Sequence, residues 1–160
     1  MSSFKPFVAL AALLSSGCGF HLQGAVQMPA GLSTVYIATS DELTPFATEL
    51  RDAFEDNGVE IARRAKGADA VVRVGRDSYG RRVLSVSARN TPAEYEVYYE
   101  VQYSIERGGT EAVPAEELEL TRSFSFDESL LLAKEHEEET IRDAMARDLA
   151  TLVLRKVGSL

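Results

Sequence analysis

The chain is poor in the residues that most chemistry requires. It has one cysteine and two histidines in 160 residues. A single thiol, Cys18, closes no internal disulfide and builds no multi-thiolate metal site. His21 and His136 form no His-Glu-x-x-His pair. Neither a Gly-x-Ser-x-Gly elbow nor a glycine-rich phosphate loop is present, so no catalytic or metal-ligating constellation is predicted. His136, between Glu135 and Glu137, reads as part of an exposed helix start. Positive charge is also scarce: 17 basic against 25 acidic side chains give −8. That balance argues against a nucleic-acid binder, which needs a basic face. Repeats and low-complexity tracts are absent. No stretch approaches the ~18 apolar residues of a membrane-spanning helix.

What is present begins at the amino terminus. Residues 1–17 carry one positive charge, Lys5, then the apolar run Phe7–Leu14, then Ser15-Ser16-Gly17 directly before Cys18. A charged start, an apolar middle and a small-residue exit are the parts of a secretion signal. The apolar part is about eight residues; as a helix it rises roughly 12 Å, far short of the ~30 Å hydrocarbon core. It is predicted to be cut off, not to stay in the membrane. The small residues ending in a thiol resemble the lipobox of bacterial lipoproteins, although Leu14 lies one place further from Cys18 than usual. That resemblance implies a diacylglycerol and an N-acyl chain on Cys18, with no other cofactor. Several acyl chains hold a protein stably on a membrane where one does not.

Removing the leader leaves 143 residues, a normal size for one domain, with 16 basic and 25 acidic side chains. The predicted organisation is a cleaved signal over 1–17, a lipidated tether over 18–31 and a single domain over 32–160. Charge is unevenly spread. Residues 61–90 hold eight basic side chains (Arg63, Arg64, Lys66, Arg73, Arg76, Arg81, Arg82, Arg89) against Asp69 and Asp77, while both flanking regions are acidic. This segment is either an anion contact or a charged, solvated strand edge.

Ser33–Thr39 reads as a strand around Val35, Tyr36 and Ile37. A helix follows: Thr44 as N-cap, Pro45 at the first position, Gly58 as the stop, with Phe46, Ala47, Leu50, Ala53 and Phe54 on one stripe. Val59 and Ile61 are expected to pack beneath its end. Asp69–Gly75 and Val83–Ala88 are extended, with a bend or bulge at Tyr79-Gly80; one bent strand and a hairpin both fit. Tyr95, Val97, Tyr99, Val101, Tyr103 and Ile105 alternate with Glu94, Glu96, Tyr98, Glu100, Gln102, Ser104 and Glu106. After Gly108-Gly109, Leu118, Leu120, Arg122 and Phe124 alternate with Glu117, Glu119, Thr121, Ser123 and Ser125. A helix over Lys134–Val157 closes the chain, with glutamates at its start and Arg155 and Lys156 at its end. The order β-α-β-β-β-α predicts an α+β two-layer sandwich. Two helices would cover one face of a mixed, mainly antiparallel four-stranded sheet, and the other face would be wet.

Four segments together resemble one family. Cys18-Gly19-Phe20-His21-Leu22-Gln23-Gly24 is similar to the mature start of the LPS-assembly lipoprotein family, LptE. Asn90-Thr91-Pro92-Ala93-Glu94-Tyr95 resembles its turn into a long central strand. Arg122-Ser123-Phe124 and Leu132-Ala133-Lys134-Glu135 resemble its later Arg-Ser-Phe segment and its helix entry. The resemblance implies a lipoprotein, not an enzyme, anchored on the periplasmic side of the Gram-negative outer membrane. There it would plug and help to assemble a β-barrel partner, LptD, that exports lipopolysaccharide. Gly19 behind the lipidated cysteine, rather than Asp, suits outer-membrane sorting. Arg89 and Lys134 fall at family positions tied to lipopolysaccharide contact, with Arg81 and Arg82 as further candidates; ion pairing with neighbours such as Glu94 or Glu135 is the competing reading. A free lipid-carrying lipoprotein is the alternative function, and it would need an apolar cavity of several hundred Å³.

Overall fold

Thr34–Ala38 forms β1, whose Val35 and Ile37 turn inward and are buried. Pro45–Asp56 forms α1. The Ala47 N–H donates to Thr44 Oγ1 at 3.1 Å, so the predicted cap is made. Pro45 sits where its missing N–H leaves no bond unmade. Phe46, Ala47, Leu50 and Phe54 form the buried stripe, and Gly58 ends the turn at φ +76°, a conformation that glycine reaches without strain. The chain returns as β2, Glu60–Ile61, parallel to β1.

β3 runs from Ala70 to Val86, β4 from Pro92 to Arg107 and β5 from Thr110 to Ser125. β3 is parallel to β1 over its first residues and antiparallel to β4 along its length; β4 and β5 are antiparallel. A 3-10 turn, Glu128–Leu130, leads into α2, Leu131–Gly158. The sheet order is β2-β1-β3-β4-β5. This computed structural model describes residues 26–160. The leader 1–17, Cys18, His21 and the tether as far as residue 25 lie outside the described residues.

The α+β sandwich is as expected, but the sheet has five strands, not four. β2 is two residues long, too short for any alternation to be visible. Val59 is buried and Ile61 packs against the core, as expected beneath the helix end, and Ile61 also pairs with Val35 in the sheet. The extended region over 70–86 is one strand. Its register against β4 shifts at Gly75, at Leu84 and again between Ser85 and Val86, where Ala93 of β4 is skipped, whereas Tyr79 and Gly80 pair regularly with Tyr99 and Tyr98. Gly80 is needed for another reason: a Cβ there would overlap the ring of Tyr98, which lies across it. α2 starts three residues before Lys134, so the glutamates fall in later turns and its first turn holds no acid.

α1 and α2 pack on each other and share one sheet face. Between helices and sheet lie Phe46, Leu50, Phe54, Met145, Leu149 and Val153, all fully buried, facing Val72, Val97, Tyr99, Val101 and Ile105. Each such aliphatic or phenyl side chain contributes about 1.5–3 kcal/mol by leaving water. Val26 and Met28, within the expected tether, already pack against this core. The Val26 N–H donates to Asn57 Oδ1 at 2.8 Å, and Arg107 Nη2 donates to the Ala30 carbonyl at 3.0 Å. Among the described residues no helix is long and apolar enough to cross a membrane.

Two polar devices lock the fold, one within the sheet and one between the sheet and α1. Asp69 Oδ2 accepts from the backbone N–H and the hydroxyl of both Ser33 and Thr34, at 2.8–3.0 Å. These bonds pull the Asp69 carboxyl down from 3.8 to about 2 and clasp the start of β1 to that of β3. On the helix face, the Tyr99 hydroxyl donates to Asp77 Oδ1 at 2.8 Å and accepts from the Phe46 N–H at 3.2 Å. Thr44 Oγ1 donates to the other oxygen of Asp77. One carboxylate thus ties the start of α1 to β3 and β4.

Candidate functional site

Register decides where the arginines of β3 point. Arg73, Arg76 and Arg82 lie on the face without helices and reach across to β4. Arg73 holds Glu106 through two bonds at 2.8 and 3.2 Å, Arg76 pairs with Glu100, and Arg82 pairs with Glu96. The guanidinium of Arg82 also stands 5.7 Å from the centre of the Tyr98 ring. The result is a ladder of cross-strand ion pairs on an open polar face. Arg81 points to the helix face, donating to Glu138 of α2 at 2.8 Å and lying 5.1 Å over Tyr95. Tyr79 donates to the same Glu138 at 3.2 Å. Burial and the Glu138 charge push the Tyr79 hydroxyl up, keeping it protonated. Arg81 and Arg82 are therefore matched by carboxylates, and their partners are Glu138 and Glu96 rather than Glu94 or Glu135.

Arg89 differs. It sits in the β3–β4 turn, where the Ser87 N–H donates to the Thr91 carbonyl at 2.7 Å and Ser87 Oγ accepts from the Arg89 N–H at 3.2 Å. Asn90 takes φ +61°, which asparagine tolerates. The turn is thus tightly bonded and presents Arg89 to solvent, with no carboxylate partner among the described residues. Lys134 lies in the first turn of α2. Its side chain is only 15% exposed, and its Nζ meets Glu137 at 2.7 Å. The strand register puts the start of α2 and the β3–β4 turn at one end of the sheet, but no hydrogen bond or ion pair joins Arg89 to Lys134.

That end carries a feature that sequence patterning did not single out. Val83, Leu84 and Val86 on β3, and Leu130, Leu131 and Leu132 at the start of α2, are each at least half exposed or close to it. The Leu130-Leu131-Leu132 run was the signal available in the sequence. At the same end Tyr95 stacks on Phe124, with ring centres 6.0 Å apart, and meets Phe126 edge-to-face at 5.1 Å. Two open clefts of about 320 Å³ flank the helices. One is lined by Tyr79, Arg81, Glu135, Glu138, Glu139 and Arg142; the other mixes Glu49, Asp52, Asp56, Arg147 and Arg155 with Val26, Ala53 and Leu154, so neither is a purely apolar cavity of the kind that encloses a lipid. His136 is exposed on α2, 3.8 Å from Glu139.

Comparison with known proteins places this arrangement. Residues 32–157 match the family model LptE, described as lipopolysaccharide-assembly. An LPS-assembly lipoprotein LptE of Pectobacterium atrosepticum is 30% identical over 155 residues, covering 96% of this chain and 84% of that protein. The crystal structure of rare lipoprotein B from Shewanella oneidensis superposes with a TM-score of 0.70 at 28% identity, covering 79% of this chain and 94% of that one. The solution structure of a lipoprotein B from Nitrosomonas europaea gives 0.74 at 26% identity, covering 88% and 91%.

Proposed function

The chain belongs to the lipopolysaccharide-assembly lipoprotein family LptE, and from that premise we propose that it is a non-catalytic plug for an outer-membrane β-barrel partner, LptD. In this reading Cys18 carries the acyl chains and holds the domain on the periplasmic side of the outer membrane. The domain seats in the barrel lumen and assists assembly of the barrel and delivery of lipopolysaccharide. The observation that carries the reading is the open face of the sheet. It is built from ion pairs and hydroxyls, Arg73–Glu106, Arg76–Glu100, Arg82–Glu96, Thr121, Ser123 and Ser125. Barrel interiors are polar and water-filled, so a stopper with such a face loses little solvation on entry. A free lipid carrier is less well supported, since both flanking clefts are open and bring charged side chains in among the apolar ones.

Arg89, which has no carboxylate partner among the described residues, and Lys134, at the same end of the sheet and paired only to Glu137 of its own helix, are the cations we assign to the phosphates and sugar carboxylates of lipopolysaccharide; Arg81 and Arg82 are tied to carboxylates of other elements and contribute less. Guanidinium and ammonium groups bind such anions by charge-assisted hydrogen bonds. Extraction of the lipidated protein in mild detergent should recover a stable complex with a barrel; recovery of the lipoprotein alone overturns the plug. In the folded domain, Arg89→Asp with Lys134→Asp should weaken lipopolysaccharide binding about tenfold or more. Unchanged binding removes the assignment.

A further inference from the structure

The sheet has two lateral edges, and they are built differently. The β2 edge is two residues long. The β5 edge is sixteen, and its halves contrast. Thr110–Glu116 contains Pro114 and the register shifts against β4, devices that blunt an edge. Glu117–Ser125 has no proline, glycine or lysine and pairs with β4 in unbroken register.

The hydrogen-bond parity of that half follows from one contact. The Phe126 N–H donates to the Ala93 carbonyl at 2.8 Å. In an antiparallel ladder alternate residues bond inward, so Phe124, Arg122, Leu120 and Leu118 direct their main-chain groups to β4. Glu117, Glu119, Thr121, Ser123 and Ser125 direct theirs away from it, and among the described residues nothing receives them. The side chains of these five residues lie on the open face. There the ion-pair ladder stops one strand early. Each β3 arginine on that face is matched by a β4 glutamate, whereas Glu117 and Glu119 of β5 make no ion pair among the described residues; Arg76, bonded to Glu100, acts on Glu117 only at longer range. Glu119 moreover stands directly opposite Glu100, a like-charge pairing that destabilises a bare edge.

We propose that Glu117–Ser125 receives an extended segment of the protein partner as a sixth strand, with Lys or Arg facing Glu117 and Glu119. The main-chain groups of five residues supply affinity, and the two carboxylates supply selectivity. A second copy of this chain fits poorly, because it brings the same carboxylates and, with the leader and Lys5 removed, 16 basic against 25 acidic side chains, a further net charge of −9. The inference rests on the reading of a partner-seated domain and adds which edge is used and what kind of segment meets it.

Hydrogen exchange is the measurement. In the detergent-extracted complex of the full chain, the amides of Glu117, Glu119, Thr121, Ser123 and Ser125 should exchange at least tenfold more slowly than in the isolated lipoprotein. Thr121→Pro removes one outward N–H without touching the β4 ladder, and it should abolish this protection. Glu117→Lys with Glu119→Lys, which leaves the main chain intact, should weaken it. A complex that forms while the five amides exchange as in the free protein overturns the edge inference and leaves the plug standing. If no barrel is recovered, the plug fails, and a synthetic peptide decides the edge. An eight-residue peptide alternating Lys with Val should protect the same amides, and its Glu-for-Lys counterpart should not. Protection elsewhere, or by both peptides alike, overturns the inference.

Discussion

Removing the hydroxyl of Tyr99 tests whether the polar knot beneath α1 holds the layers together. Tyr99 is 1% exposed, and its Oη both donates to Asp77 and accepts from the Phe46 N–H. Tyr99→Phe keeps the ring and so creates no cavity. It leaves the buried Phe46 N–H without an acceptor, at about 1–3 kcal/mol, and takes one donor from a carboxylate. Some of that is offset because Asp77 is only partly buried and keeps Thr44. A net loss of about 2 kcal/mol is expected, or a Tm lower by roughly 6–10 °C for a domain of this size. Tyr103→Phe is the control. Tyr103 is equally buried, but its hydroxyl donates to Glu116, which also holds Lys156. Water can replace that donor, so about 0.5–1 kcal/mol is expected. Thr44→Ala should cost about 1 kcal/mol as a lost cap. Combined with Tyr99→Phe, it should depart from additivity because both groups act on Asp77. Urea titration of the wild type and these four variants reads these values. If Tyr99→Phe costs no more than Tyr103→Phe, the knot carries no particular stability and the reasoning is wrong.

The Asp69 clasp gives an acid signature. Its carboxyl titrates lower in the folded state than in the unfolded chain, so its stabilisation is complete above about pH 4 and is lost as pH falls towards 2. The Tm gap between wild type and Asp69→Asn should therefore close between pH 5 and pH 2; a constant gap refutes the clasp. At the other extreme, burial raises the Tyr79, Tyr99 and Tyr103 hydroxyls well above their ordinary value of 10. The unfolded chain then releases these protons first, and stability should fall as pH rises above 10. Each tyrosine contributes up to about 1.4 kcal/mol per pH unit, which phenolate absorbance followed alongside circular dichroism would detect as one cooperative transition. Gly80→Ala should destabilise by about 1 kcal/mol through the Tyr98 ring. In a Tyr98→Ala background the same change should turn neutral or stabilising, as removing a strand glycine otherwise does; equal effects in both backgrounds exclude that contact.

Elements that follow short-range rules were legible from sequence. Thr44, Pro45 and Gly58 bracket α1 by local chemistry, and the period of two from Tyr95 to Ile105 marks β4 and its buried face. What escaped depends on neighbours. β2 exists because Glu60 and Ile61 find the open side of β1, and two residues carry no period. The start of α2 escaped because Leu130 caps it without a side-chain bond, leaving no signal at the true first turn. The bulges at Gly75 and Leu84 are set by register against β4, so the glycine at position 80 was the wrong marker. At the candidate site, the cluster of positive charge was plain, but its division was not. Only register shows that Arg82 faces Glu96 while Arg81 turns to α2, and that Arg89 stands apart on its turn.

The placement of β1 has a mechanical consequence. The chain enters the domain at Val26 and soon becomes β1, which is hydrogen-bonded in parallel to β2 on one side and β3 on the other. A pull on the amino-terminal end therefore loads β1 along its own axis. Its bonds on both flanks, with the Ser33 and Thr34 contacts to Asp69, must shear together rather than unzip one by one. A domain tugged from that end resists as a unit, whereas the same force on β5 would peel it from β4 a residue at a time.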